Sequence, residues 1–143
     1  MIGAPPAAPV EMVAMSSVAF DQARADALVG EIGRKIIADA NYADRDWTGV
    51  ALVIEVAQRK RMYGFVYLPD SDWEAETPED FDVIDRAVEL ADTMAAGGQR
   101  WTRCLVQLTR PGPKVTIKFD YDDAGDWVVT PANHAEMVEK LKP

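Results

Sequence analysis

The chain has 143 residues, a formal net charge of −9 and one cysteine. A domain of this size buries enough apolar surface to fold without a metal or a disulfide, and a single thiol cannot close an intramolecular disulfide. The acidic balance argues against direct nucleic-acid binding, because phosphates are held by basic surfaces. The N-terminus lacks the basic region of a signal peptide, and no apolar run approaches the roughly 20 residues of a membrane helix. We therefore expect a soluble, cytoplasmic protein with no membrane contact.

The chain is predicted to begin with a flexible tail. Residues 1–16 are rich in alanine and proline and bury too little apolar surface to fold alone. Residues 17–143 are predicted to form a single α+β domain. Within it, apolar residues recur at helical spacing over about 18–42, which predicts an amphipathic helix. From 47 to 68 apolar residues alternate with others on both sides of a basic turn, which predicts a β-hairpin.

An acidic stretch of 23 residues, 70–92, carries the whole net charge, because it holds ten acids and one base. The segment 69–76 is predicted to be a loop, and a helix is predicted over about 78–96. Thr77 stands in position to cap that helix, and Pro78 suits its first turn. The glycine pair that follows the helix is expected to end it.

A second hairpin and a short helix are predicted for the C-terminal part. Residues 100–121 form two alternating runs around a Pro-Gly-Pro turn. Thr130 is predicted to cap a last helix that opens at Pro131 and runs to about Leu141. The predicted order is helix, hairpin, helix, hairpin, helix. Alternation in both hairpins predicts one mainly antiparallel sheet with helices covering one face.

The acidic stretch is also the candidate binding site. Trp73 lies among acids in the predicted loop, where an aromatic ring can anchor an interface while the charges set orientation and association rate. The alternatives are a solvated helix face for the acids and, for Trp73, a ring that folds back onto the domain. The candidate partner-binding residues comprise the start of this stretch and a second acidic cluster near the end of the last predicted strand: Asp70, Asp72, Trp73, Glu74, Glu76, Asp80, Asp120, Asp122, Asp123 and Asp126.

No catalytic, metal or cofactor site is predicted. His134 is the only histidine, and because nothing at helical spacing supplies a second ligand or a nucleophile, a surface or helix-packing role is preferred. The acidic cluster at 120–126 begins like a calcium loop, but Ala124 and Pro131 stand where ligands are required. An acidic turn is therefore the preferred interpretation, and the protein is predicted not to be an enzyme.

Three features resemble the YezG-like family of bacterial immunity proteins. They are Asp46-Trp47 at the first predicted strand, Trp101 opening the third, and the run Lys118-Phe119-Asp120-Tyr121-Asp122-Asp123 that closes the fourth. The similarity covers about residues 28–131. It implies a small acidic α+β antitoxin, which binds and blocks a secreted or contact-delivered nuclease toxin encoded nearby.

The resemblance and the charge lead to the same expectation. A nuclease carries cationic residues to hold phosphates, so an acidic inhibitor can occupy that surface without any chemistry. The predicted function is therefore an immunity protein that occludes a basic nuclease toxin. The alternative is an acidic secretion chaperone for an extended effector segment, which would need hydrophobic grooves rather than a polar, acidic patch. No oligomeric state is predicted.

Overall fold

A computed structural model describes residues 10–13, 21–96, 98–121 and 126–143. The elements, in chain order, are β1 (Val10–Val13), α1 (Gln22–Ala38), α2 (Ala40–Ala43), β2 (Gly49–Glu55), β3 (Arg61–Tyr67), a single helical turn (Pro69–Ser71), β4 (Trp73–Ala75), α3 (Asp82–Ala95), β5 (Arg103–Thr109), β6 (Lys114–Asp120) and α4 (His134–Leu141). The predicted α+β class is confirmed. Within these ranges, every helix is too short or too polar to cross a membrane.

Six strands form one sheet in the order β1-β6-β5-β2-β3-β4. The strands from β6 to β4 are antiparallel to their neighbours, whereas β1 runs parallel to β6. The hairpins β2–β3 and β5–β6 meet at the centre, where β2 pairs with β5 from Gly49 to Glu55. The prediction of two hairpins in one mainly antiparallel sheet is thereby confirmed.

Strand β1 departs from the prediction of a flexible tail over residues 1–16. Its backbone lies beside β6, with Val10 opposite Val115 and Val13 opposite Lys118. A run of four residues carries little periodic signal, and an edge strand of this kind forms because its partner strand offers free backbone groups. The remaining residues of the predicted tail lie outside the described residues.

Helices lie on both faces of the sheet, which corrects the prediction of one covered face. α1 and α3 pack together over the face that carries Leu52 and Val106, where the main core lies. α4 lies against the other face, where Val138 and Leu141 join Val53 in a second apolar cluster. Every residue of β2 is buried, and its apolar residues from Val50 to Ile54 point to both faces, so the strand needs a cover on each.

The first and last helices are shorter than predicted. Asp39 has an extended backbone, which separates α1 from α2 inside the predicted helix. α4 begins at His134 rather than at Pro131, because Thr130 and Asn133 form a separate turn. In that turn the Thr130 N–H donates to Asn133 Oδ1 at 2.7 Å, and the Asn133 N–H donates to Thr130 Oγ1 at 3.3 Å.

Candidate functional site

The acidic stretch begins with a segment, 69–76, that closes one edge of the sheet. The predicted loop is wrong over Trp73–Ala75, because these residues form β4 and pair with β3. The register places Trp73 opposite Tyr67 and Ala75 opposite Phe65. Three residues are too few for a recognisable alternation, so only the neighbouring strand could decide this conformation.

Trp73 is exposed, yet its ring is fixed in place. The residue is 38% exposed. Its ring meets the Phe65 ring edge-on with 5.5 Å between centroids, and it lies 5.2 Å from the His134 ring at the start of α4. The rings of Phe65 and His134 are themselves 5.2 Å apart, so the three rings form one cluster. Such ring pairs add about 0.5–1.5 kcal/mol each to packing, which keeps Trp73 in one orientation at the surface.

Asp70 and Asp72 lie in the turn that precedes Trp73, and both are exposed. No cation of the described residues pairs with either carboxylate. Asp70 and Ser71 adopt left-handed backbone conformations, with φ of 66° and 67°, which costs energy in residues other than glycine. A hydrogen bond from the Leu68 N–H to the Asp72 carbonyl, 2.8 Å long, closes the turn. Two carboxylates are therefore held in solvent beside an exposed indole.

A cavity of about 230 Å³ lies between this turn and α4. Tyr67 and Trp73 line it from the sheet, and Val138, Glu139 and Lys142 line it from the C-terminal end of the chain. The Tyr67 hydroxyl donates to the Val138 carbonyl at 2.7 Å, which ties α4 to β3. Pockets that hold small ligands usually measure about 300–1,000 Å³, so this cavity suits a single side chain of a protein partner better.

Other elements supply cations that neutralise half of the acidic stretch. Arg45 pairs with both Glu74 and Glu76. The acids with an ion pair are Glu74, Glu76, Asp82, Glu89 and Asp92. Their partners from outside the stretch are Arg45, Lys35, Arg24 and Arg100, and Arg86 on α3 pairs with Asp82 and Glu89 as well. The acids without a cationic partner among the described residues are Asp70, Asp72, Glu79, Asp80 and Asp85. The local negative field is thus centred on fewer residues than the sequence suggests.

A buried carboxylate holds the chain between β4 and α3. Asp39 is 7% exposed and accepts hydrogen bonds from the backbone N–H groups of Asn41, Glu79 and Asp80, at 2.9, 3.0 and 3.0 Å. The Asp80 carboxylate in turn accepts from the Asp82 N–H at 2.9 Å. Asp80 is therefore positioned by a residue 41 positions earlier in the chain.

These contacts correct the predicted start of α3. The helix begins at Asp82 rather than near 78, and Thr77 does not cap it. The Thr77 carbonyl accepts from the Asn41 side chain at 2.9 Å, and the next N–H groups are taken by Asp39 outside the helix. Tertiary hydrogen bonds thus compete successfully with the local capping signal. Of the glycine pair expected to end this helix, the first lies outside the described residues.

Replacing Asp39 with alanine is expected to lower the free energy of unfolding by about 2 kcal/mol, because three backbone N–H groups lose their acceptor. Burial alone raises the pKa of Asp39, but the three donors outweigh it and hold that pKa below its usual range. The contribution of the carboxylate is therefore full above about pH 4 and is lost as the pH falls through the folded value. Urea unfolding at a series of pH values measures this, and the difference between wild type and variant should shrink below about pH 4.

Asp21→Ala is the matched control for this prediction. Asp21 caps α1 from an exposed position, where its carboxylate accepts from the Arg24 N–H at 3.0 Å. Removing this single contact is expected to cost about 1 kcal/mol. If Asp39→Ala lowers the free energy of unfolding no more than Asp21→Ala does, Asp39 does not hold the segment before α3 in the way described.

Asp120, the first residue of the second predicted cluster, lies away from the surface around Trp73. Asp120 ends β6, Asp122 and Asp123 lie outside the described residues, and Asp126 is exposed. Three strands separate β6 from β4, which amounts to roughly 19 Å between them at the usual strand spacing. The pairing register also places Asp120 and Trp73 at opposite ends of the sheet.

Asp120 belongs instead to a ladder of alternating charges that crosses four strands. Arg103 donates to Asp120 Oδ2 at 2.9 Å and to Glu55 Oε2 at 3.4 Å. Arg61 donates to Glu55 Oε1 at 2.7 Å, and the Tyr63 hydroxyl donates to Glu55 Oε2 at 3.0 Å. The side chains of Glu55 and Asp120 are each 10% exposed. The Asp120 carboxylate is therefore engaged within the fold.

Sequence reasoning missed two residues that shape this site. Arg45 neutralises two candidate acids, and Asp39 positions a third. The contacts of these two residues with the acidic stretch have no local signal, because they join residues about 30 to 40 positions apart in the chain. His134 has a packing role, as expected, but its position against the Trp73 ring was not predicted.

The arrangement is suited to recognition. It offers carboxylates for cationic side chains and an indole face for an apolar contact. Burial raises the pKa of the Cys104 thiol, so this cysteine is a core residue with little thiolate character. Within the described residues, no group of three histidines, cysteines or acids is placed to hold a metal ion.

Neither the protein-family models nor the curated proteins compared with this chain contain a match. The resemblance to YezG-like immunity proteins therefore stays a prediction. The candidate site is defined by its own chemistry, which is a ring-fixed indole, two carboxylates without a cationic partner among the described residues, and a small adjoining cavity.

Proposed function

We propose that this protein is an immunity-type inhibitor, which binds a basic protein of the nuclease-toxin class and blocks it by covering its cationic surface. The proposal rests mainly on Trp73, which is exposed beside Asp70 and Asp72 and is held in place by the rings of Phe65 and His134. An indole that is already held in place loses little conformational freedom on binding, so more of its contact energy becomes affinity. The nuclease class of the partner rests on the family resemblance.

The unpaired carboxylates support a basic partner. Charges that are not neutralised within the protein create a field that speeds the encounter with an oppositely charged surface. Asp70 and Asp72 supply such a field directly beside Trp73, whereas Glu74 and Glu76 are turned to Arg45. A secretion chaperone would need a hydrophobic groove at this place, and the acidic character of the turn favours the toxin blocker.

The proposal predicts separate kinetic effects for the indole and the acids. The family resemblance implies that a nuclease toxin is encoded nearby, so the test uses a basic nuclease domain found beside this gene, which the purified protein should inhibit at a stoichiometric ratio. Trp73→Ala is expected to raise the dissociation rate about 30-fold, equivalent to about 2 kcal/mol. Asp72→Lys is expected to slow association several-fold at low salt and to flatten its dependence on ionic strength. Surface plasmon resonance at several salt concentrations measures both rates.

The control is Asp26→Lys, which makes the same change in charge at an exposed position of α1 on the opposite face of the sheet. It should leave the dissociation rate unchanged and alter association less than Asp72→Lys does. If Trp73→Ala and Asp72→Lys both bind at wild-type rates while the domain stays folded, the interface lies elsewhere and the proposal fails.

A further inference from the structure

The outer edge of β3 has no neighbouring strand over residues 61–63 within the described part of the chain. β4 pairs with residues 65–67 alone. The last backbone contact between the two strands is the hydrogen bond from the Glu76 N–H to the Gly64 carbonyl, 3.0 Å long. The chain then leaves the sheet toward α3, so the first half of β3 remains open.

Backbone groups of Met62 point outward at this open edge. The Tyr67 carbonyl accepts from the Thr48 N–H at 2.7 Å and so faces β2, whereas the Gly64 carbonyl faces the β4 side. Because these directions alternate along a strand, the N–H and C=O of Met62 point the same way as those of Gly64. No group of the described residues bonds to them. A free pair of this kind is a template for another strand.

Two cavities flank the open edge on opposite faces of the sheet. One, of about 290 Å³, is lined by Tyr63 and His134 among others. The other, of about 330 Å³, is lined by Met62 and by Phe81, which is 73% exposed. Thr77 lines both cavities. Since successive side chains of a strand point to opposite faces, a strand added here would place one side chain in each cavity.

The charge at this edge is opposite to the net charge of the chain. Arg59 and Lys60 are exposed in the turn between β2 and β3, and no carboxylate of the described residues pairs with either. Arg61 follows them and is bound to Glu55. A second copy of this chain, paired antiparallel about Met62, would place its Lys60 opposite Gly64, where Glu76 already contacts β3, so self-pairing is disfavoured. The complementary occupant is a strand with acidic side chains.

We propose that the open edge of β3 binds an extended segment of another protein as an added antiparallel strand. In this arrangement an apolar side chain lies opposite Met62 and enters the cavity beside Phe81. The next residues of the bound segment are acidic. The first of them lies opposite Arg61, and the following ones contact Lys60 and Arg59. The site uses neither Trp73 nor its acids, so it goes beyond the proposed inhibitor function and can be tested separately.

The probe is the peptide acetyl-Val-Leu-Glu-Asp-Glu-Gly-Lys-amide, with fluorescein on the lysine side chain, titrated with the full chain at low salt. Fluorescence anisotropy should give a dissociation constant on the order of 100 µM, as for a short strand with few side-chain contacts. N-methylation of the leucine removes a backbone donor, and lysine in place of the acids reverses the charge; each change should weaken binding at least about tenfold. Amide exchange of Met62 should slow when the peptide binds.

The matched variants change the charge of the protein. Arg59→Glu combined with Lys60→Glu alters exposed positions only and should weaken binding at least about tenfold. Lys114→Glu combined with Lys140→Glu makes the same change at exposed positions of β6 and α4 and should leave binding almost unaltered. Absence of binding at about 1 mM peptide, or equal binding by both double variants, would overturn the proposal and leave Arg59 and Lys60 as protection of an open edge.

Discussion

Gly64→Ala is expected to lower the free energy of unfolding by at least about 3 kcal/mol. A Cβ atom at Gly64 would lie 2.0 Å from the Ala51 carbonyl oxygen and 2.9 Å from Leu52 Cα, and both are backbone atoms of β2. β2 cannot yield, because it is fully buried and is paired with β3 on one side and β5 on the other. β3 must therefore shift, and β4 with Trp73 shifts with it.

The control is Gly30→Ala in α1. There the added Cβ would meet Arg34 Nη1 at 3.1 Å, which is the end of a flexible side chain and can move aside. Alanine also favours a helix over glycine by about 1 kcal/mol, so this variant should be as stable as wild type or more stable. Urea unfolding followed by the fluorescence of buried Trp47 and Trp101 measures both variants. Equal stability of Gly64→Ala and Gly30→Ala would contradict the close approach of β2 and β3.

Glu55→Ala is the second variant with a large expected effect, a loss of about 3 kcal/mol in unfolding free energy. Burial by itself raises the pKa of Glu55, but hydrogen bonds from Arg61 and Tyr63 and the charges of Arg61 and Arg103 outweigh it and hold that pKa below its usual range. The carboxylate is thus ionised and compensates two guanidinium groups. Removing it leaves Arg103, whose side chain is 12% exposed, without its contact to Glu55, while the contact to Asp120 remains.

Asp92→Ala removes an acid from a comparable pair at the surface. Asp92 lies 3.0 Å from Arg100 Nε, but its side chain is 65% exposed. Exposed ion pairs contribute about 0–1 kcal/mol, so this variant should unfold at nearly the wild-type urea concentration. Urea unfolding of both variants measures the two losses in unfolding free energy. If Glu55→Ala loses as little unfolding free energy as Asp92→Ala, the charge ladder does not stabilise the fold. Glu55→Gln, which keeps the shape, should fall between the two.

Local patterns alone predicted the central elements. The alternation of Leu52 and Ile54, and of Val115 and Ile117, is a property of consecutive residues, and these side chains do lie on one face of the sheet. The amphipathic stripe that includes Leu28 and Ile32 likewise predicted α1 without knowledge of its partner. Such elements are predictable because a side chain's direction follows directly from the period of its own strand or helix.

Element boundaries were less predictable, because they depend on distant groups. The capping signal at Thr77 was wrong, since Asp39 takes the N–H groups that a helix start would otherwise present to a local cap. Strands β1 and β4 are short, and each forms because a longer neighbour offers free backbone groups. None of these partners can be inferred from the residues next to them.

The sequence by itself determined the α+β class, the two hairpins and the concentration of negative charge in residues 70–92. Only the tertiary structure decided which of those acids form ion pairs within the described residues. Arg45 neutralises Glu74 and Glu76, while Asp70 and Asp72 remain without a cation among the described residues. The physical reason is that net charge is a sum over the residues of the sequence and does not depend on the fold. The electric field at a surface depends on the distances between charges, and folding sets those distances.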